Sequence, residues 1–321
     1  MTTELNVAIL LATYNGEKFL RQQLDSILNQ NYCDFSLYIS DDNSSDSTLS
    51  IIIEYLQKDS RIHLLPKHKS KGSACCNFLH LLENVESDIY LLCDQDDLWT
   101  PDHVSSLVNA YITIENNTKQ PVLVHGDLTV VDEDLTILDK SFLRYTNLPH
   151  VIENKHSFFV QNNVTGCASL VNKVLKEYVF SSRDFLYQHI SLIPMHDCFF
   201  ATIAKYFGTI RFVKKQIVFY RQHSLNVVGA KKCKGMQYLL ERFFKMLRNQ
   251  NNVMLEINKN MNYAFFFCEN FKKEISKSEY EILKQFSNIR KKNKLMRIFF
   301  ILKHKFIKHG FHRNIKLFIS I

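Results

Sequence analysis

Four times between residues 6 and 97 a short apolar run stops at a polar cluster, and after each of the first three the apolar spacing changes from that of a strand to that of a helix. Residues 6–12 read as a strand halted by Thr13-Tyr14-Asn15-Gly16, with Phe19, Leu20, Leu24, Ile27 and Leu28 following at helical intervals. Residues 35–40 repeat the pattern, with a loop rich in helix-capping residues over 41–47 and a helix over 48–57. Residues 62–65 and a helix around 75–85 form a third unit, and the strand over 89–93 ends in Asp94-Gln95-Asp96-Asp97. Alternation of this kind predicts an α/β fold, a mainly parallel sheet with helices on both faces. Residues 122–125, 128–131 and 212–220 extend the strand pattern, which stops near Lys231.

In open parallel sheets, ligands bind outside the carboxyl ends of the strands. Three polar clusters fall there: Thr13-Tyr14-Asn15, Asp41-Asp42 and Asp94-Gln95-Asp96-Asp97. Three carboxylates within four residues repel one another at neutral pH unless something positive offsets them. A divalent cation is the simplest candidate, and a solvated acidic turn is the alternative. A helix-loop-helix calcium loop does not fit, because glycine is missing at the sixth position from Asp94 and Ser105 stands where the closing glutamate belongs. Neither common glycine-rich phosphate cradle occurs in a chain with only 8 glycines, so a nucleotide would be held by other means. His196-Asp197 precedes the apolar helical stretch 198–201, where a carboxylate is costly unless it has a task or caps the helix.

A length of 321 residues, 46% of them hydrophobic and 22% charged, excludes a disordered or collagen-like chain and leaves room for one large domain and an appendage. The 8 cysteines form no Cys-x-x-Cys pair, and Cys33, Cys93 and Cys167 lie in apolar runs, so reduced core thiols in a cytosolic protein are expected. No basic start with an apolar leader opens the sequence, and no stretch approaches the ~18–20 apolar residues of a spanning helix. Neither secretion by a leader nor integral insertion is expected.

Charge divides the chain. Residues 231–321 hold 21 Lys and Arg against 6 Asp and Glu, whereas the remainder holds 19 against 26. The expected organisation is a catalytic domain over 1–230 and a basic helical region over 231–321 that tethers it to an anionic surface. Leu295, Phe299, Leu302 and Phe306 recur at helical spacing with Arg297, Lys303, Lys305 and Lys308 between them. That suits a helix lying in a membrane interface, or a basic helix packed on the rest of the chain. The charge balance would also suit nucleic acid, but no recognisable reading motif accompanies it, so no nucleic-acid partner is expected.

Five motifs in order resemble those of the family 2 glycosyltransferases. They are Leu-Leu-Ala-Thr-Tyr-Asn-Gly at 10–16, Ser-Asp-Asp-Asn-Ser-Ser-Asp-Ser-Thr at 40–48, Cys-Asp-Gln-Asp-Asp-Leu-Trp at 93–99, His-Asp at 196–197 and Tyr-Arg-Gln-His-Ser-Leu-Asn at 220–226. The resemblance covers about residues 5–230, and each motif falls where the strand pattern needs a loop. The Asp-Gln-Asp-Asp-Leu-Trp form is similar to that of bacterial rhamnosyltransferase-like members, which build O-antigens and other surface polysaccharides. The resemblance implies a GT-A fold with a Rossmann-like sheet.

It also implies roles. Thr13, Tyr14 and Asn15 would line the nucleotide pocket, and Asp41 would accept the imide N–H of uracil or thymine. Asp42 would help close that pocket, or serve as a loop or capping residue. Asp94 would face the ribose, and Asp96 would bind Mg²⁺ or Mn²⁺ bridging the diphosphate, with Asp97 orienting its neighbour or Trp99. His223 would complete the metal shell or contact the diphosphate, its alternative being an ordinary loop histidine, and Arg221 would offset the leaving group's charge. Asp197 would be the general base, with helix capping as the alternative. Trp99, Gly166 and His196 are the acceptor-side candidates, Gly166 allowing close approach of backbone to sugar or marking a turn into a strand.

The implied reaction is a metal-dependent, inverting, single displacement. Its donor is a nucleotide sugar, dTDP-rhamnose or otherwise a UDP-hexose, and its acceptor a lipid-linked glycan. The enzyme would sit in the cytoplasm, peripheral at the inner face of the cell membrane. The Gln-x-x-Arg-Trp motif of processive synthases is absent, so transfer of one or a few sugars is expected. A nucleotidyltransferase of similar fold would show a basic glycine-rich loop near its N-terminus, which this chain lacks.

Overall fold

The computed structural model describes residues 5–66, 73–223, 229 and 250–321. They fall into two compact units, one drawn from Met1–Thr146, Val164–Phe180 and Met195–Lys231, the other from Asn147–Asn163, Ser181–Pro194 and Lys232–Ile321.

The first unit opens with the expected alternation: β1 (Val7–Thr13), α1 (Leu20–Leu28), β2 (Ser36–Asp41), α2 (Thr48–Lys58), β3 (Ile62–Leu64), α3 (Ala74–Asn84) and β4 (Ile89–Asp94). It continues through β5 (Leu98–Trp99), α4 (His103–Ile112), β6 (Val122–Val131), β7 (Ile137–Asp139), α5 (Phe142–Thr146), β8 (Ser169–Asn172) and α6 (Lys173–Val179). After α7 (Arg183–Gln188), which belongs to the second unit, α8 (His196–Phe207) and β9 (Thr209–Arg221) complete it. The strands form one sheet in the order β3-β2-β1-β4-β8-β6-β9-β5, with β7 beside β6.

Central parallel strands are covered on both faces and therefore read as continuous apolar runs. Val7 to Leu11 of β1 and Ile89 to Cys93 of β4 are all buried, and α1 contributes Leu20, Leu24 and Ile27 from one face. β1 pairs in parallel with β2 and β4, in a register that sets Thr13 opposite Asp41 and Ala12 opposite Asp94. Three polar strand ends thereby meet at one edge. Beyond β4 the sheet is mixed: β8 runs antiparallel between β4 and β6, and β9 runs parallel to β6. Residues 122–125 and 128–131 belong to a single strand, β6, whose register shifts around Asp127. Asp127 accepts from the backbone N–H groups of Leu128 and Leu143 and from the Ser141 hydroxyl, so a polar residue is paid for inside the sheet.

The second unit is helical among its described residues, with α9 (Gln250–Asn270), α10 (Lys277–Ser287), α11 (Lys294–His304) and α12 (Phe311–Ser320). Its core is aromatic. Phe159 lies 5.3 Å from Tyr263 and 5.5 Å from Phe267, and Phe286 stacks on Phe306 at 4.0 Å between ring centroids. No helix among the described residues is long and apolar enough to cross a membrane. All seven described cysteines are free thiols. Cys93 and Cys167 are core residues as expected, but Cys33 is exposed, because its run ends in the loop before β2; Cys233 lies outside the described residues.

Candidate active site

The ends of β1 and β2 are stitched together. Thr13 Oγ1 donates to Asp41 Oδ1 at 3.0 Å, Ser44 Oγ donates to the same oxygen at 2.6 Å, and the Ser44 N–H donates to Asp41 Oδ2 at 2.9 Å. The Asp42 N–H donates to the Thr13 carbonyl at 2.9 Å, and the side chains of both Asp41 and Asp42 are buried. Asn15 adopts a left-handed backbone (φ 46°) that points its N–H at Ser44 Oγ, and its side-chain oxygen accepts from the Ser45 N–H. Tyr14 is 54% exposed, yet its N–H and carbonyl are both paired with the Gln95 amide at 2.8 Å. A methyl group at Gly16 would come within 2.2 Å of Gln95 Oε1, so this clamp requires glycine. Gln95 and Ser44 carried no sequence assignment. Their only signal was their place inside the polar clusters.

Asp94 closes β4, and Asp96 and Asp97 occupy the turn that follows. One donor atom each from Asp94, Asp97 and Cys167 lie within 4.8 Å of one another. Asp97 is 1% exposed: its Oδ1 accepts the Arg221 N–H at 3.0 Å, while its Oδ2 has no hydrogen-bond partner among the described residues. Burial, followed by the charges of Asp96 and Asp197, pushes the Asp94 carboxyl up to about 7, and burial with Asp96 and Asp94 drives Asp97 well above the carboxylate range. Asp96 Oδ2 lies 2.8 Å from His223 Nε2. Cys167, a lone cysteine without any spacing signal, joins this cluster unannounced.

Arg221, at the end of β9, is buried with its guanidinium against protein acceptors. It donates to the carbonyls of Asp96 (2.9 Å) and Glu133 and to Gln22 Oε1 (2.7 Å), 4.5 Å above the Phe19 ring. It holds the acidic turn against the sheet. Residues 224–226 of the fifth motif lie outside the described residues.

Asp197 sits in the first turn of α8, where Met195 occupies the N-cap position. Asp197 Oδ1 accepts the Cys198 N–H at 2.5 Å. Burial pushes its carboxyl up to about 6, while the N–H groups of Cys198 and Gly166 pull the other way. Its neighbour His196 is buried and stacks on Phe78 at 4.0 Å, and neither ring nitrogen has a hydrogen-bond partner among the described residues. Burial pushes His196 down to about 3, which makes it a neutral imidazole. Gly166 begins a 3-10 turn leading into β8, and a methyl group there would approach His196 Nε2 to 2.7 Å and Asp197 Cβ to 3.8 Å. Trp99 departs from expectation. Pairing of β5 with β9 places it in the core, stacked on His103 at 3.7 Å, and not on an open acceptor surface.

Residues 8–180 match the family described as Glycosyl transferase family 2. The dTDP-rhamnosyl transferase RfbG of Shigella flexneri is 28% identical over 233 residues, 68% of this chain and 74% of that protein. The UDP-Glc:alpha-D-GlcNAc-diphosphoundecaprenol beta-1,3-glucosyltransferase WfgD of Escherichia coli is 27% identical over 128 residues, 40% of this chain and 47% of that protein. Among solved structures, S. aureus TarS 1–349 in complex with UDP-GlcNAc superposes over 94% of this chain and 88% of its own, with a TM-score of 0.52. At 14% identity that likeness is one of fold.

Proposed function

The chain belongs to glycosyl transferase family 2 and has its GT-A fold, and from that premise we propose that it transfers a sugar, rhamnose from dTDP-rhamnose, to a hydroxyl of a lipid-linked glycan in surface-polysaccharide synthesis. The observation that carries this reading is convergence: Cys167 brings its sulfur within 4.8 Å of the Asp94 and Asp97 carboxylates, and Asp197, about a hundred residues beyond Asp94 and Asp96 in the sequence, acts with Asp96 on the Asp94 charge. RfbG supports the choice of donor by its name and similarity. A UDP-linked hexose is the second reading, supported in the same way by WfgD.

In this mechanism Thr13, Tyr14, Asn15 and Asp41 hold the nucleotide, with Asp41 selecting a pyrimidine through its imide N–H and Asp42 closing the pocket. Asp94 faces the ribose. Mg²⁺ or Mn²⁺ held by Asp96 and His223, with Asp97 beside them, would offset the charge of the departing diphosphate. Arg221 adds positive charge beneath the same turn while its N–H groups fix the Asp96 backbone. Asp197 takes the proton from the acceptor hydroxyl as that oxygen bonds to the anomeric carbon. The bond to the diphosphate breaks on the opposite face, its electron pair leaves with the diphosphate, and the configuration inverts. A carboxyl near 6 is ionised at neutral pH yet basic enough to accept that proton. Gly166 and His196 shape the acceptor side. Catalysis belongs to residues 1–230, and the basic region 231–321 keeps the enzyme peripheral at the inner membrane face.

A thermal-shift series with dTDP, UDP and GDP, each with and without Mn²⁺, tests the donor site. The expected result is metal-dependent stabilisation by dTDP, about 2.7 kcal/mol at a hundredfold excess over Kd. Stabilisation by UDP alone selects the hexose reading, and stabilisation by no nucleotide removes the donor-site assignment.

A further inference from the structure

Helix α11 is apolar on two opposite faces. Phe300 and Ile301 are buried within the second unit, and Arg297 on the same side donates to the carbonyls of Arg290, Lys292 and Ile321. Leu295, Phe299 and Leu302, spaced as i, i+4 and i+7, share the other face and are 81%, 67% and 53% exposed. A basic helix packed into a protein core explains the first face only. Phe311, at the start of α12, is a further exposed aromatic at 82%. Single exposed apolar residues are ordinary, but an aligned row of three on one helix face marks a surface with a partner.

Charge identifies the partner. From Arg290 to Ile321 there are 10 Lys and Arg and no Asp or Glu. Some of these serve the fold: Lys308 and Lys316 pair with Glu256, and Lys294 donates to the Ile319 carbonyl. Lys291 precedes the apolar row and Lys303 and Lys305 follow it, all three exposed, with Lys305 in the left-handed conformation that ends the helix (φ 57°). Nucleic acid would use the charges and leave Leu295, Phe299 and Leu302 in water. An anionic lipid surface uses both, taking the apolar face into the acyl boundary and the lysines among the headgroups.

We propose that α11 is the membrane-docking element of this chain, lying in the interface of an anionic bilayer with Leu295, Phe299 and Leu302 inserted. This deepens the inner-face placement proposed above, yet it needs no part of the donor-site reading.

Flotation of the 321-residue chain with phosphatidylcholine vesicles, with and without phosphatidylglycerol, tests it. The wild-type chain is expected to float with the anionic vesicles only, and less at high salt. Phe299→Gln with Leu302→Gln should weaken partitioning by roughly tenfold or more, and Lys303→Gln with Lys305→Gln by about fivefold per charge. Both pairs lie on the surface, so an unchanged melting temperature and unchanged response to nucleotide certify the fold and separate this test from that of the donor site. Undiminished flotation of the Phe299→Gln/Leu302→Gln chain overturns the proposal. So does equal flotation on neutral vesicles, retention on DNA without vesicle binding, or a concentration-dependent dimer that the same pair abolishes.

Discussion

The helical unit and the acidic edge of the sheet use their carboxylates in opposite ways. In the helical unit Glu256 lies 2.6 Å from Lys308 and also pairs with Lys316; burial pushes its carboxyl up, but the lysines prevail and hold it at about 2. Glu279 is likewise held at about 2 against burial, by hydrogen bonds from His156 and Lys155. At the edge of the sheet burial wins: Asp197 rises to about 6 and Asp94 to about 7, with like charges adding to the effect on Asp94. Charge in the helical unit contributes to folding. Charge at the sheet edge works against folding, which is the signature expected where a site is kept for a ligand.

The largest effect that sharpens this contrast is expected from Asp197→Asn. Turnover should fall by roughly 10²–10⁴-fold, as for loss of a general base, while donor-induced thermal stabilisation persists. Stability should move the other way. A carboxyl raised from its ordinary value to about 6 costs nothing below about pH 4, where it is protonated folded or unfolded, and its full cost is present above about pH 6. Because the side chain is only partly buried, the gain for the asparagine variant at pH 8 is of order 2 kcal/mol, shrinking to nothing near pH 4. Melting curves across that range check it. A variant less stable than wild type at every pH would return Asp197 to a structural role.

A smaller effect is expected from Gly166→Ala. The added methyl meets His196 Nε2 at 2.7 Å, and Phe78 behind the ring blocks its retreat, so the strain passes to Asp197 next door. Displacement of the base should lower kcat roughly 10–100-fold with donor affinity unchanged. Loss of the Gly166 N–H from Asp197 should move the acid limb of the kcat profile to higher pH. Adding His196→Ala should recover part of the loss, a coupling readable in a double-mutant cycle. An additive cycle with an unshifted acid limb would break the link between this glycine and the base.

How much of this was legible follows from what each element depends on. β1 and β4 are buried on both faces and β2 over its last three residues, so their apolar runs and the polar residues ending them announce both the strands and the polar edge of the sheet. β8, four residues long, exists because β4 and β6 leave a place for it, and nothing local marks it. Gly126-Asp127 reads as a break between two strands because a polar residue in a core strand needs partners that only Ser141 and Leu143 reveal. Phe159 joins the helical unit through Tyr263 and Phe267, over a hundred residues further on, a pairing that no window of sequence can see. Cys167 reaches the acidic cluster by the same kind of long-range placement, and Trp99 leaves the surface because of a two-residue strand. Asp96 and His223 are singled out by their motifs, and the 2.8 Å contact between them has no local counterpart.

The smallest effect tests the other half of the contrast. Glu256→Gln leaves Lys308 and Lys316 facing each other without an anion, and should destabilise the chain by about 1 kcal/mol at pH 7, a figure discounted because the glutamate side chain is 41% exposed. The sign with pH is opposite to that at Asp197. A carboxyl held at about 2 contributes its full stability above the ordinary glutamate value and loses it as pH falls toward 2, so the gap between wild type and variant should close in acid. Denaturant unfolding at pH 7 and pH 3 measures it, with turnover at pH 7 expected to be unaltered. An unchanged midpoint at pH 7 would mean that the lysines hold this carboxylate without stabilising the fold. Paired and unpaired acids would then differ in their titration alone, and the division of labour between the two units would have to rest on the sheet edge by itself.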